Sequence, residues 1–425
     1  MRRTVFTLSL ASIALAGCSD PVSDPAGSTG AAVNASLFGG PHDRDGGVTV
    51  FWNGVARDLV IKYKSNAFQA IRGYAVLSVA QYQGIMAAGK SGSAEGHSRS
   101  RAAVSGASAV ALTYLYPAEA AALEGTVDSL RLASPDQGPD GAKAEAAGRA
   151  AAQLVVDSAK TDRFFTPWTG TVPTGPGLWF STANPPAPPV GVLFGKARPY
   201  FLRSGDQFRP PPPPVFGSPE YLSALAEVRQ ISDTRTAEQD SIAKFWALAA
   251  GTYAPAGYWN AEAAGLIGRY HLRERDAARV FAMINMVGFD AIIATHDAKY
   301  TYWFIRPTQA DPGIKLSVAL PNFPSYPSNH AALSSGMAKV LGAFFPGESS
   351  RLNGLADQAA MSRLYAGIHY RFDDDTGLRL GRTVAAWALS QARCRSHDDW
   401  RDDDDRRGNL ADSAPCIDIV ERDHR

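Results

Sequence analysis

Charged and polar residues gather in three short blocks of the sequence: K-Y-T-Y-W-F-I-R-P at 299–307, F-P-S-Y-P-S-N-H-A at 323–331 and S-R-L-Y-A-G-I-H-Y-R-F-D at 362–373. Together the blocks hold three cations, one hydroxyl and two histidines: Lys299, Arg306, Arg363, Ser328, His330 and His369. Such side chains suit a tetrahedral oxyanion of high negative charge, because cations and hydrogen-bond donors can surround its oxygens. The rest of the chain is then the scaffold that brings the blocks together.

The first block predicts a helix that ends at Pro307. Lys299 and Arg306 are seven residues apart, about two helical turns, so both cations are expected on one helix face. Pro307 disfavours helical backbone at the residue before it, which sets the helix end. Taken alone, the two cations have a simpler interpretation as surface charges.

The second block predicts the start of a helix. Pro324 and Pro327 favour an extended approach, and Ser328 then stands at the N-cap of a helix expected over Ala331–Phe345. The free N–H groups and the positive dipole end there favour an anion, and His330 lies in the first turn. A helix cap beside a structural histidine is the simpler alternative.

The third block pairs a histidine with a carboxylate. His369 and Asp373 are four residues apart, so on a helix the carboxylate can bond one ring nitrogen and orient the other. A histidine held in this way is a good nucleophile or metal-oxyanion ligand, whereas a surface His–Asp pair is the simpler alternative. Each block is weak evidence alone, but all three occur in order between residues 299 and 373.

In this order, the set K-x6-R-P … P-S-x-H … S-R-x5-H-x3-D resembles the signature of the superfamily that unites type 2 phosphatidic acid phosphatases, bacterial acid phosphatases and vanadium-dependent haloperoxidases. The resemblance is tight over Lys299–Asp373 and looser upstream, at I-A-K-F-W over 242–246 and Y-W-N over 258–260. It implies an all-α fold, a large helical bundle made of two four-helix-bundle halves with little sheet.

The resemblance also implies a binding site for vanadate or phosphate. Lys299, Arg306 and Arg363 would neutralise the equatorial oxygens of the anion, while Ser328 and the backbone N–H of Asn329 would donate hydrogen bonds to it. Vanadate mimics the trigonal-bipyramidal transition state of phosphoryl transfer, so one site can serve both ligands.

The two histidines receive different roles from the resemblance. His330 would be the general acid/base. His369 would be the axial residue, bonded to the vanadium of vanadate in peroxidases or attacking phosphorus in phosphatases. Asp373 would orient His369.

Asn329 departs from the family pattern, which usually has glycine at this position. Glycine lets the backbone approach the oxyanion closely, whereas asparagine keeps the N–H group and adds a side chain at the pocket floor. The substitution therefore bears on cofactor affinity and on peroxide access, but it removes no charged ligand.

Three functions follow from these residues. The first is a vanadate-dependent haloperoxidase that oxidises a halide with hydrogen peroxide. Phe323, seven residues before His330, resembles the chloroperoxidase branch, since bromoperoxidases often have histidine there. The second is an exported phosphatase that hydrolyses phosphate monoesters through a phosphohistidine at His369. The third is an anion-binding envelope lipoprotein without catalysis, but such a protein would be expected to lack one of the two histidines.

Hydrophobic spacing in the rest of the chain predicts helices and few strands, in agreement with an all-α fold. Upstream helices are expected over 56–88, over 102–123 with a break near Pro117, and over 142–158, with a polar loop over 90–101. Further helices are expected over 219–231, 236–250, 260–270, 274–297, 352–364 and 375–393. The segment Thr166–Phe216 is dense in proline, glycine and aromatic residues, which favours a long ordered surface loop over a domain linker.

The N-terminus has the pattern of an export signal. Arg2 and Arg3 precede a short apolar core, and L-A-G-C at 15–18 resembles the bacterial lipobox, in which Cys18 becomes the lipidated N-terminus. An ordinary signal peptide with an incidental cysteine is the alternative. Since no later stretch has ~18 or more uninterrupted apolar residues, the expected membrane anchor is the lipid alone. Ser19 after the cysteine favours the periplasmic face of the outer membrane.

Composition limits which partners the chain can be expected to bind. The formal net charge is +1, so a basic field for nucleic acid is not supported. An exported chain meets an oxidising compartment, in which Cys394 and Cys416 either form a disulfide or remain thiols. Large helical faces are compatible with a homodimer.

These observations divide the chain into five segments. They are a lipoprotein signal over 1–18, a flexible tether over 19–36, an N-terminal helical half with a proline-rich wrapping loop over 37–215, a C-terminal helical half with the active site over 216–395, and a charged tail over 396–425.

Overall fold

The computed structural model describes residues 47–89, 94–134 and 138–392. The expected lipidation of Cys18 and the expected disulfide between Cys394 and Cys416 lie outside the described residues. Within the described ranges the chain forms thirteen α-helices and no β-strand, which confirms the all-α prediction. In chain order the helices are α1 (Gly47–Lys62), α2 (Ala67–Ala87), α3 (Ala94–Leu115), α4 (Ala120–Ala133), α5 (Pro139–Lys160), α6 (Pro219–Thr234), α7 (Ala237–Phe245), α8 (Ala254–Arg269), α9 (Glu274–Tyr302), α10 (Pro307–Ala310), α11 (Asn329–Phe344), α12 (Ser349–Tyr365) and α13 (Arg371–Gln391).

The single helix expected over 56–88 is two helices, because the chain turns between α1 and α2. Lys64 has a φ of 48°, a left-handed conformation that ends a helix. Asn66 then caps α2, where its side chain accepts the backbone N–H groups of Phe68 and Gln69. Hydrophobic spacing continues across such a turn, so the pattern alone does not show it.

The polar segment over 90–101, expected to be a loop, is helical from Ala94 onward. Its polar residues form the first turns of α3, whose later turns are buried against α2 and α5. Packing of the buried turns therefore outweighs the loop-like composition of the helix start. The break expected near Pro117 is confirmed, since α3 ends at Leu115 and α4 begins at Ala120.

The long helix α9 runs through the interior of the bundle. Every residue from Ala277 to Lys299 is buried, and α2, α8, α11 and α13 pack around the helix. Among the described helices, α9 is the one long and apolar enough to cross a membrane, but its apolar window is entirely enclosed by protein. The packing places Lys299, near the C-terminal end of α9, in the interior.

The proline-rich segment Thr166–Phe216 is an ordered irregular loop with one short 3₁₀ turn at Phe194–Lys196. Its aromatic residues explain the order, as predicted: Trp179 and Phe194 are buried, and the ring of Phe194 stacks on that of Phe164 at 4.1 Å between centroids. The loop therefore contributes to the core instead of linking two bodies.

Asp290 in α9 anchors this loop. Its side chain is completely buried, and its carboxylate accepts three successive backbone N–H groups, those of Tyr200, Phe201 and Leu202, at 2.8, 2.8 and 3.0 Å. Since each buried donor left without a partner costs about 1–3 kcal/mol, Asp290→Ala is expected to lower the free energy of unfolding by about 3 kcal/mol or more in urea denaturation. Asp290→Asn keeps one acceptor oxygen and should lose less. Unchanged stability of Asp290→Ala would contradict the anchoring role.

Candidate active site

The structure brings the three sequence blocks together. The Nη1 atom of Arg306 lies 3.0 Å from the Nε2 atom of His369, which joins the first block to the third. The ammonium group of Lys299 donates to two backbone carbonyls of the second block at 2.8 and 2.7 Å. The N–H of Ser328 donates to the carbonyl of Asp373 at 3.0 Å, which joins the second block to the third.

Lys299 and Arg306 do not share a helix face, so that prediction is wrong. Helix α9 ends at Tyr302, and Trp303 has a left-handed φ of 49°. The chain has therefore left the helix before Arg306, which is extended, with φ −81° and ψ 154°. Pro307 begins the short helix α10 instead of ending α9. Both cations nevertheless reach the same site, one from a helix end and one from a loop.

The second block forms the N-terminus of α11, as predicted. Ser328 is the N-cap, and its Oγ accepts the N–H of Ala331 at 3.5 Å. Asn329 and His330 are the first two helical residues. The Nε2 atom of His330 lies 3.1 Å from the carbonyl oxygen of Trp246. Because a carbonyl can only accept, Nε2 carries the ring proton, and Nδ1 of the neutral ring is left as the basic nitrogen.

His369 and Asp373 are in contact, although not within one helix as predicted. Helix α13 begins at Arg371, so His369 precedes it and Asp373 lies in its first turn. The Nδ1 atom of His369 donates to Oδ2 of Asp373 at 2.8 Å, and the same oxygen accepts the hydroxyl of Ser325 at 2.5 Å. Nε2 of His369 is therefore the nitrogen with the lone pair, and it accepts a hydrogen bond from Arg306.

The three cations of the site are almost fully buried. Lys299 and Arg306 have no exposed surface, and Arg363 is 2% exposed. Burial lowers the pKa of Arg306 and of Arg363 to about 10, and burial together with the charge of Arg306 lowers the pKa of Lys299 well below its usual range. The Nη2 group of Arg306 is buried without a hydrogen-bond partner. Buried cations with an unpaired donor fit an oxyanion such as phosphate or vanadate.

The backbone at the end of α7 is a part of the site that no sequence motif reveals. The carbonyl of Ala243 accepts Nη2 of Arg363 at 2.9 Å, and the carbonyl of Trp246 accepts His330. These contacts orient the side chains of Arg363 and His330. Backbone carbonyls leave no residue-type pattern, so the loose resemblance over 242–246 was the one indication of this segment.

Two buried titratable side chains next to the site were also missed. Asp374 is 3% exposed, and burial raises the pKa of its carboxyl group well above the usual range, which favours the protonated form. His296 is completely buried. It precedes Lys299 by three residues on α9, so both side chains lie on neighbouring positions of one helix face. That spacing is the signal that could have identified His296.

A cavity of about 190 Å³ borders the two histidines. Its wall includes Asn329, His330 and His369, and the remaining wall is mostly apolar. The apolar part comes from several helices and includes Phe68 of α2, Pro255 and Ala256 of α8, Ile292 of α9 and Leu333 of α11. Asn329, His330 and His369 are thus the polar part of the wall of an otherwise apolar chamber.

The positive charge of the site acts on the histidines. Burial and the neighbouring cations lower the pKa of His330 and of His369 well below its usual range, so both rings are neutral near neutral pH. A bound tetrahedral anion would offset part of this positive charge and raise both pKa values. Binding of an anion should therefore be accompanied by proton uptake from the solvent.

We expect this proton uptake to be measurable with sulfate at about pH 6, just below the ordinary pKa of histidine. Sulfate does not titrate in this range, so any proton taken up is bound by the protein. Calorimetric titrations in buffers of different ionisation enthalpy give the number of protons. The number should fall toward zero as the pH rises above the histidine pKa values of the complex, and proton release on binding would contradict the expectation.

The sequence of the chain is similar to known phosphatases. The sequence profile of the PAP2 superfamily matches residues 279–395, a range that contains all three blocks. A non-specific acid phosphatase of Providencia stuartii is 30% identical over 215 residues, which are 48% of this chain and 82% of the phosphatase.

The fold is similar to that of solved haloperoxidases. A bacterial vanadium-dependent iodoperoxidase superposes with a TM-score of 0.67 over 82% of this chain and 96% of its own, at 21% identity. An apo-type bacterial vanadium-dependent chloroperoxidase superposes with a TM-score of 0.61 over 75% of this chain and 92% of its own, at 13% identity. These similarities confirm the haloperoxidase-like helical fold expected from the motif.

Proposed function

We propose that this chain, which belongs to the PAP2 superfamily and is an enzyme, is a vanadate-dependent haloperoxidase. Such an enzyme oxidises a halide with hydrogen peroxide. The observation that carries the proposal is the apolar chamber beside His330 and His369, to which α2 and α8 contribute Phe68 and Pro255. The fold similarity to the iodoperoxidase spans 82% of this chain, whereas the similarity to the acid phosphatase spans 48%. The extent of the match supports the haloperoxidase for the chain as a whole.

The groups that would hold vanadate come from the three sequence blocks. They are the side chains of Lys299, Arg306, Arg363 and Ser328, and the backbone N–H of Asn329. His369 would hold vanadate through Nε2, whose lone pair is fixed because Asp373 accepts a hydrogen bond from Nδ1. When bound, vanadate supplies the activation of hydrogen peroxide toward a halide.

His330 would serve as the acid/base next to the anion. Its Nε2 proton is engaged by the carbonyl of Trp246, so Nδ1 is the nitrogen that can take a proton from entering hydrogen peroxide and return it to a departing hydroxyl. The apolar chamber excludes bulk water from this exchange, which strengthens the electrostatic interactions of the buried cations.

Hydrolysis of phosphate monoesters is a second candidate function, favoured by the 30% identity to the acid phosphatase. The same geometry suits it. Nε2 of His369 would attack phosphorus as the ester P–O bond breaks, and His330 in its protonated form would supply the proton of the leaving alcohol. Water would then release phosphate from His369.

A paired assay on the purified protein distinguishes the two functions. The protein is loaded with orthovanadate and assayed for peroxide-dependent bromination of a phenol dye; without vanadate it is assayed for hydrolysis of a generic phosphate monoester. Bromination that requires vanadate and is blocked by phosphate is the expected result. Ester hydrolysis that vanadate inhibits, with no bromination, would replace the haloperoxidase with the phosphatase.

A further inference from the structure

The side chain of Asn329 adds an amide oxygen to a site that also contains three cations and the lone pairs of two histidines. Asn329 forms part of the chamber wall and is 7% exposed. Its Nδ2 atom lies 3.1 Å from Nε2 of His296, whereas its Oδ1 atom is buried without a hydrogen-bond partner. A buried polar atom without a partner costs free energy unless a ligand completes it.

His296 fixes which end of the amide remains unpaired. The Nδ1 atom of His296 lies 2.9 Å from the carbonyl oxygen of Gly191. Because the carbonyl can only accept, Nδ1 carries the proton and Nε2 of the neutral ring accepts. Burial and the charge of Lys299 lower the pKa of His296 to about 3, which keeps the ring neutral. Asn329 must then donate through Nδ2, so Oδ1 is the unpaired end.

Apart from the lone pairs of His330 and His369, the groups predicted to surround the oxygens of the anion are cations and donors. An acceptor among them can bond only an oxygen of the anion that carries a proton. Hydrogenphosphate and hydrogenvanadate have such a hydroxyl near neutral pH, whereas sulfate has four bare oxygens. A bare anionic oxygen next to the Asn329 carbonyl would be repelled and would leave the acceptor unpaired.

We propose that Asn329 is a specificity-determining residue whose Oδ1 accepts a hydrogen bond from a hydroxyl of the bound oxyanion, and that His296 positions its amide. The site then selects protonated tetrahedral anions over sulfate. This inference rests on the proposed function, since it concerns the same oxyanion site. Sites that bond a ligand hydroxyl reject analogues that lack it, and for one hydrogen bond we expect a preference of about tenfold to a hundredfold.

Phosphate and sulfate test this proposal because at about pH 8 both carry two negative charges and differ by one proton. Calorimetric titration of the wild type should give phosphate the lower dissociation constant by about tenfold to a hundredfold. Asn329→Gly introduces the residue usual in the superfamily, and Asn329→Leu keeps the side-chain bulk without the acceptor. In both variants the two dissociation constants should become nearly equal.

His296→Phe tests the positioning role. The ring of His296 packs against those of Phe68 and Phe194 at 4.9 and 5.0 Å between centroids, so phenylalanine suits the site. Without Nε2 the Asn329 amide can turn, and we expect the preference for phosphate to decrease. Thermal melts check that each variant is folded. If Asn329→Leu does not fold, the test of the proposal rests on Asn329→Gly.

The outcomes separate this inference from the proposed function. A wild type that binds both anions equally would overturn the inference and leave the vanadate site standing. An unchanged preference for phosphate in Asn329→Gly would also overturn the inference. So would a preference that is lost in Asn329→Gly but kept in folded Asn329→Leu, because the bulk of the side chain and not its acceptor would then cause the preference. A wild type that binds neither phosphate, sulfate nor vanadate would overturn both.

Discussion

Replacing His369 with alanine is expected to abolish vanadate binding and to lower both the bromination and the ester hydrolysis by about a thousandfold or more. The Nε2 atom of His369 has its lone pair fixed by the bond from Nδ1 to Asp373. In the proposed function, this nitrogen would bind vanadate or attack the phosphorus of an ester. Alanine removes this nitrogen while the three buried cations remain, so weak electrostatic binding of phosphate should persist.

Calorimetry with orthovanadate measures the loss directly. The matched control is His271→Asn, which changes an exposed histidine in the turn between α8 and α9. Asparagine tolerates the left-handed φ of 51° at this position, so the control should bind vanadate like the wild type. Tight vanadate binding by His369→Ala would refute the axial role.

Asp373→Asn is expected to lower the activity by about a hundredfold or more. The carboxylate oxygen Oδ2 of Asp373 accepts hydrogen bonds from His369, from the hydroxyl of Ser325 and from the N–H of Tyr370. Asparagine removes the negative charge that favours the proton on Nδ1 of His369, and an amide turned with its N–H group toward Nδ1 would favour the opposite tautomer. The ring of His369 would then lose its fixed tautomer, and Nε2 would no longer be held as the lone-pair nitrogen.

The neighbouring residue provides the control for this prediction. Asp374 is also buried, and burial raises the pKa of its carboxyl group well above the usual range, which favours the neutral form. Asp374→Asn keeps the shape of that group and leaves the hydrogen bond from Nδ1 of His369 to Asp373 in place, so it should keep most of the activity. If kcat/KM fell equally in the two variants, the loss in Asp373→Asn would reflect general disruption of α13 and not the orientation of His369.

The chemistry of the site was easier to predict from the sequence than its geometry. Ser328 is an N-cap because the prolines before it prevent an earlier helix start, and such local preferences act without tertiary contacts. The continuation of a helix from Lys299 to Arg306 was predicted on equally local grounds, but α9 ends at Tyr302. The chain leaves α9 at Trp303, whose carbonyl accepts the N–H of Trp179 at 2.7 Å. A residue more than a hundred positions away thus stabilises the helix end, and no spacing rule contains that contact.

The missed residues share a physical reason. His296 and Asp374 have ordinary side chains whose shifted pKa values come mainly from burial. Burial of a particular polar residue depends on packing between distant segments, so residue type and spacing do not reveal it. Every residue has a backbone carbonyl, so the sequence does not distinguish those of Ala243 and Trp246. They contact Arg363 and His330 only because of the position of α7.

The chamber has a consequence for how the specificity of such an enzyme can change. Phe68 in α2 and Pro255 in α8 lie far in sequence from the cations and histidines, yet they form part of the same wall. A substitution at Phe68 changes the size of the space above the anion and leaves every charged ligand in place. Selection for a different substrate can therefore act on α2 and α8 while the charged groups and histidines stay unchanged. Substrate preference and the chemistry of the site can then evolve separately.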